Sequence, residues 1–363
     1  MKKTLVAIAA LSAISAFAQS SVTLGGTVDV RLAIGNGETS NKTALSNNGI
    51  ASSQFRFVGV EDLGGGLKAG FHLEAGYNPD DGSGSGTSVN NQGGGAAAFN
   101  PATGANASPR AANQGFTFNR RSTLSVMGGF GEVRLGRDYV PHFWNHTFYD
   151  PFGTNGVGSS MALNGSIATV GATTVRASNS IGYLSPNFGG FSGQIQTYFG
   201  ENSSNSALGS NSGSGTSLRV GYGQGPISVG LAWGRTTTAL NVDVTSTNLG
   251  GSYDLGIVKI MGAYTIDAVS ISGVPDTRGW VFGVTAPVGP GSLKAAFSQT
   301  DLGNDIIGKQ FALGYEYSLS KRSTVYATVA SVNNNKSGFG LNGAVTTANG
   351  NSTGVDIGVK HSF

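Results

Sequence analysis

The side chains most capable of chemistry are few. His142 and His146 stand four apart, a spacing that on a helix would put two imidazoles on one side, where they could fill two corners of a zinc site. A tetrahedral site needs further ligands. The chain has no Cys, and no third ligand stands near the pair. His72 could serve as a base to a Ser nucleophile, but no Ser is set on a strand-to-helix elbow with a carboxylate partner to complete the group. Gly25-Gly26 and the other Gly-rich stretches make no GxGxxG or Walker pattern ahead of a helix. No metal, cofactor or catalytic centre is therefore expected. What remains is charge placed at alternate positions. Arg56 is flanked by Phe55 and Phe57, and Arg176, Ser178, Ser180 and Gly182 share one face against Ala177, Asn179, Ile181 and Tyr183. Lys68, Lys259, Lys294 and Lys360 likewise fall on the polar side of alternating runs, as ordinary solvated wall residues.

The elements that position these charges are strands. Val22, Leu24, Val28, Val30, Leu32 and Ile34 alternate with Thr23, Thr27, Asp29 and Arg31. One face is apolar and the other polar, the period of a half-buried strand. The same period runs through 67–77, 227–234, 311–317 and 355–363. About 16 such segments can be marked between residues 22 and 363. Most approach the ~9–11 residues that a tilted membrane strand needs. The connections alternate in length. Short ones fall at 61–65, 128–129, 186–189, 225, 256, 288–290 and 319–321. Long ones fall at 35–51, 78–115, 139–175, 201–215, 239–245, 268–277, 301–307 and 334–352. That sorting is expected of a transmembrane antiparallel β-barrel with tight periplasmic turns and larger external loops. The segment 78–115, rich in Gly, Ala, Asn and Ser, reads as a flexible external loop.

Composition agrees. Lys2 and Lys3 precede an apolar run from Leu5 to Phe17, and Ala16-Phe17-Ala18 has a small-x-small cleavage pattern. Residues 1–18 are read as a signal peptide and 19–363 as a single barrel domain. Without that leader, 20 Lys and Arg face 19 Asp and Glu, a balance that excludes a strongly basic nucleic-acid binder. Charged residues make up only 11% of the chain, against the ~25% usual for a soluble surface. Gly is abundant, at 59 residues, with no triplet period. In hydrocarbon every backbone N–H and C=O must be bonded, so strands that span must close into a barrel. At about 16 strands the lumen is too wide for side chains to fill and holds water.

Several motifs resemble the Gram-negative general porins, most of all the anion-selective type of β-proteobacterial outer membranes. They are Glu61-Asp-Leu-Gly-Gly-Gly-Leu-Lys-Ala-Gly-Phe71, Phe118-Asn-Arg-Arg-Ser-Thr123, Gly128-Gly-Phe-Gly-Glu-Val-Arg-Leu-Gly-Arg-Asp138, Ser185-Pro-Asn-Phe-Gly-Gly-Phe191, Ala286-Pro-Val-Gly289, Leu319-Ser-Lys-Arg322 and the terminal His361-Ser-Phe363. The resemblance implies an outer-membrane channel, without enzymatic activity, for passive diffusion of small hydrophilic solutes and anions. It implies a homotrimer in contact with lipid and lipopolysaccharide, and a third external loop, within 138–175, folded into the lumen. By the same resemblance, Arg120 or its neighbour Arg121 and Arg176 take constriction positions on the barrel wall, with Asp138 and Asp150 the chief acids opposite. The family's third Arg position reads Ser53-Gln54, and Arg56 stands two residues on, about 7 Å along the wall. Phe363 resembles the C-terminal aromatic signal of the barrel-assembly machinery. The alternative function is a substrate-selective channel in which Phe143, Trp144, Phe148 and Tyr149 of the third loop bind one solute.

Overall fold

The computed structural model describes residues 21–87, 115–164, 175–206, 209–238 and 242–363. The expected signal peptide and most of the expected loop at 78–115 lie outside the described residues. Among the described residues, seventeen strands form one antiparallel sheet that closes on itself. In chain order they are β1 (Ser21–Gly37), β2 (Lys42–Asn47), β3 (Gln54–Gly64), β4 (Leu67–Gly76), β5 (Arg121–Gly128), β6 (Gly131–Tyr139), β7 (Arg176–Leu184), β8 (Phe191–Tyr198), β9 (Gly215–Gln224), β10 (Ile227–Thr237), β11 (Asp243–Asp254), β12 (Lys259–Val269), β13 (Thr277–Val288), β14 (Gly291–Asp301), β15 (Ile307–Ser318), β16 (Ser323–Asn335) and β17 (Asn351–Ser362).

The circuit has 16 positions, because β2 and β3 share one edge of β1. β2 pairs with Val30–Gly35 and β3 with Ser21–Thr27, and β17 closes the other edge from Thr27 to Gly37. The long connection expected at 35–51 is therefore mostly strand. Lys42–Asn47 is short and carries one large apolar residue, Leu45, so alternation alone does not reveal it. The break between β2 and β3 is held by Asp29, whose Oδ2 accepts from Ile50 N at 2.8 Å and Ala51 N at 2.7 Å.

Period two sets the faces. In β15, Phe311 and Leu313 are exposed while Gln310 and Ala312 are buried. A soluble sheet would do the reverse. Here the apolar side meets lipid and the polar side meets the interior. The turn from β3 to β4 shows why Gly is needed at the tight end: Gly64, Gly65 and Gly66 all take positive φ, where a Cβ would be strained. β7 departs from simple alternation. It carries an extra residue opposite Gly136–Asp138, with Asn179 at φ 55. Such a bulge re-aims the side chains beyond it.

The last residue closes the seam. Phe363 N donates to Gly26 O at 3.1 Å and its carbonyl accepts from Gly26 N at 3.0 Å. A Cβ on Gly26 would sit 2.5 Å from the Phe363 ring, so Gly26 is the floor on which the ring rests. Deleting Phe363 is expected to lower the yield of closed barrel and leave protease-sensitive chain. Heat-modifiable migration on gels measures this, and an unchanged barrel band would contradict it.

The segment after β6 runs against the polar faces of distant strands. It holds a short 3-10 turn (Pro141–Phe143), α1 (Trp144–Phe148) and α2 (Met161–Asn164). His142 N bonds Ser217 Oγ of β9 at 3.0 Å. Asn145 Nδ2 donates to Gly230 O of β10 and to Asn248 Oδ1 of β11, both at 2.8 Å. Val157 N donates to Asp356 Oδ2 of β17 at 2.8 Å, and Gln310 Nε2 of β15 donates to Val157 O at 2.6 Å. Glycines on those strands make room: a Cβ on Gly314 would come within 2.8 Å of the Phe152 ring.

Candidate functional site

The polar face of β3 to β7 carries a wall of charge. Register aligns Arg56 of β3, Glu74 of β4 and Arg121 of β5 in one row. Arg120, just before β5, donates from Nε to Glu74 Oε1 at 2.5 Å and from Nη2 to Tyr139 Oη at 2.5 Å. Arg121 Nε donates to Asp138 Oδ1 at 2.6 Å, and its Nη1 lies 3.1 Å from His72 Nδ1. Arg134 pairs with Asp138 and, at 2.9 Å, with Glu132. Arg137 Nε donates to Asn119 O at 2.7 Å and Nη1 to Ser178 Oγ at 2.8 Å.

Tyr139 is the hub of this wall. Its hydroxyl accepts from Arg176 Nη2 at 2.6 Å as well as from Arg120, and the Arg176 guanidinium lies 4.3 Å from its ring centroid. Arg56 and Arg176 have no ion-pair partner among the described residues. Six arginines, at 56, 120, 121, 134, 137 and 176, thus stand beside three carboxylates, Glu74, Glu132 and Asp138. The wall keeps a local positive excess although the chain is nearly neutral.

The structure gathers Arg120, Arg121 and Arg176 around the Tyr139 ring, while the Arg56 guanidinium lies over Gly25 of β1. By register Arg56 stands in the row of Glu74 and Arg121. Asp150 goes elsewhere. It is 4% exposed, and its carboxylate accepts from Phe152 N and Ser160 N, both at 2.8 Å. It closes a turn within its own loop instead of facing the arginines. The reason is local: Asp ahead of Pro-Phe-Gly folds back on the backbone two residues on. Sequence reasoning missed Glu132, Arg134, Arg137 and Tyr139 as neighbours of the arginines. Alternation places Glu132 and Arg134 on the polar face, but only the cross-strand register shows who meets whom. His142 and His146 hold no metal-like cluster, and no group of three or more possible ligands occurs among the described residues.

Titration of the loop has two opposed parts. Burial, then the charge of His146, holds the His142 imidazole down to about 3. Burial pushes the Asp150 carboxyl up to about 6 against its backbone hydrogen bonds and the charge of Lys294. The lowered His142 contributes loop packing that is fully present above its free value of about 6.5 and is lost as pH falls toward 3. The raised Asp150 acts in the opposite sense, adding stability as pH falls from about 6 toward 3.8. His142→Asn is therefore expected to make the loop firmer in acid, and Asp150→Asn to make it more acid-labile. Open-channel current noise between pH 7 and 4.5 measures both, and parallel profiles for the two variants would contradict the assignment.

Comparison with known proteins places this geometry. A profile of the Gram-negative porin family matches residues 4–337. The chain is 36% identical to outer membrane porin protein 32 of Delftia acidovorans, over the full length of both. It is 28% identical to an outer membrane porin protein of Bordetella pertussis, again over both full lengths. Among solved structures it resembles the anion-selective porin from Comamonas acidovorans, with a TM-score of 0.80 and 34% identity, covering 95% of this chain and 100% of that one. The trimer form of OmpT from Vibrio cholerae shares the fold alone, with a TM-score of 0.63 at 16% identity over 95% and 99% of the two chains.

Proposed function

This chain belongs to the Gram-negative porin family, and from that membership we propose that its barrel is an anion-preferring diffusion channel of the outer membrane. The observation that carries the anion preference is the arginine wall, with Arg56 and Arg176 free of ion-pair partners among the described residues. A narrow lumen with low-dielectric walls focuses such a field and raises the local anion concentration. The loop from Val140 to Asn164 starts beside the arginines at Tyr139 and bonds to the polar faces of β9, β10, β15 and β17, which supports a narrowed lumen. The similarity to an anion-selective porin supports the same reading. Phe363 serves as the assembly signal, and residues 1–18 are removed on export.

The assembly is a homotrimer. Its support is family membership and the trimer form of a fold relative. Cross-linking in mild detergent is expected to trap three copies, and monomer alone would oppose it. Single-channel recording in a planar bilayer under a salt gradient tests the function. The expected result is an open ohmic channel whose zero-current potential lies on the anion side. A closed barrel without conductance, or a cation-side potential at low salt, would overturn it.

A further inference from the structure

The root of the inward loop carries an aromatic ledge that the general diffusion reading leaves unused. Tyr139 and Trp144 have ring centroids 4.8 Å apart, and Trp144 stacks on Phe148 at 5.5 Å with planes 14° apart. On α1, Asn145 faces the wall while Trp144 and Phe148, four apart, share another side. Phe148 is 47% exposed inside the barrel. Beyond its stack on Trp144, this large apolar ring leaves about half of its surface to the lumen.

Each end of the ledge carries a guanidinium. Arg176 lies 4.3 Å from the Tyr139 ring centroid and Arg219 of β9 lies 5.1 Å from that of Phe148. Arg219 is held by one bond, Nε to Asn145 Oδ1 at 2.7 Å, and has no ion-pair partner among the described residues. Gly221 and Gly230 clear its position: a Cβ on them would come within 2.9 Å of Nη1 and 2.8 Å of Nη2. The recess between Trp144 and the β7–β8 wall is lined by Gln196, whose buried Oε1 has no hydrogen-bond partner among the described residues.

We propose that this ledge is a selective step for planar ring-bearing carboxylates, stacking the ring on Trp144 and Phe148 while the carboxylate passes between Arg176 and Arg219. The proposal rests on the anion-channel reading and names a solute class for it. A carboxylate matches a guanidinium fork, and a flat ring offset-stacked on another gains contact that an aliphatic ring of similar bulk does not. The two arginines at opposite ends keep the anion from settling at one point, so binding is shallow enough to allow passage.

The test compares block of chloride current through the reconstituted full-length channel by benzoate and by cyclohexanecarboxylate, which share charge and approximate size. Benzoate is expected to reach half-block at a concentration about two- to tenfold lower. Phe148→Leu and Trp144→Leu should each bring the half-block concentrations of the two acids together. Phe148 packs on Trp144 and Arg219 but makes none of the bonds from His142, Asn145 and Val157 that hold the loop to the wall, so those bonds remain in Phe148→Leu. Equal half-block by the two acids in the unaltered channel, or a ratio unchanged in Phe148→Leu, would overturn the ledge. Loss of the anion-channel reading shows separately, as a zero-current potential without anion preference, since both probes carry the same charge.

Discussion

Replacing Arg120 and Arg176 together by Ser is expected to shift the zero-current potential toward the cation side. The two side chains contribute differently. Arg176 has no carboxylate partner among the described residues, so its loss subtracts an uncompensated charge. Arg120 neutralises Glu74 at 2.5 Å, so its loss also leaves that carboxylate with His72, at 3.2 Å, as its remaining ion-pair partner among the described residues. The wall falls from six arginines against three carboxylates to four against three. One unit charge acting at about 5 Å through water is worth roughly 0.8 kcal/mol, about fourfold in local anion concentration. The shift should be largest near 0.01 M salt, where screening extends to ~30 Å, and nearly gone at 1 M, where it extends to ~3 Å. Arg56→Ser should act about as strongly as Arg176→Ser alone, because register sets Arg56 in the row of Glu74 and Arg121. The yield of folded barrel should hardly change, since the strand ladders do not depend on these side chains. A double variant that keeps the original potential at low salt would mean that the inward lysines, not this wall, set selectivity.

Most of the barrel was legible in the sequence because its physics is local. A strand that meets lipid on one side and water on the other repeats every two residues, and the turn glycines punctuate it. The 16 positions, their faces and the short turns follow from that period. What escaped did so for physical reasons. β2 is short and holds a single large apolar residue. The bulge in β7 rests on one Asn at positive φ, which leaves no mark on composition. Arg219 was readable, being the one charge on the polar face of β9 between Leu218 and Val220. Its meaning was not, because Phe148 and Asn145 reach it from more than 70 residues away. The inward loop has no period at all. Its course is decided by contacts with strands far along the chain, which is why Asp150 reads as an opposing charge in sequence and proves to be a turn.

Asp356→Ala is expected to release that loop without opening the barrel. Alternation marks Asp356 as inward, between Val355 and Ile357, and it is completely buried. Its Oδ2 pairs with Arg31 of β1 and accepts from Val157 N at 2.8 Å, and its Oδ1 accepts from Asn342 Nδ2 at 2.8 Å. One carboxylate thus ties together the barrel seam, the tip of the inward loop and the last external loop. Arg31 keeps bonds to Asn47 O at 3.1 Å and Asn342 Oδ1 at 3.2 Å, but Ala would leave its charge unpaired and Val157 N without an acceptor. Removing one member of a buried ion pair costs about 3–5 kcal/mol. The seam itself rests on an eleven-residue β1–β17 ladder, so the loss falls on the loop instead of on closure. Open-channel noise should rise and the size limit for sugars in liposome swelling should increase, while the heat-modifiable band stays at its normal intensity. Asp356→Asn, which keeps a carbonyl acceptor for Val157 N but not the ion pair, should fall between the two. If Asp356→Ala leaves both noise and size limit unaltered, the contacts of His142, Asn145 and Gln310 suffice to hold the loop, and the carboxylate serves only the seam.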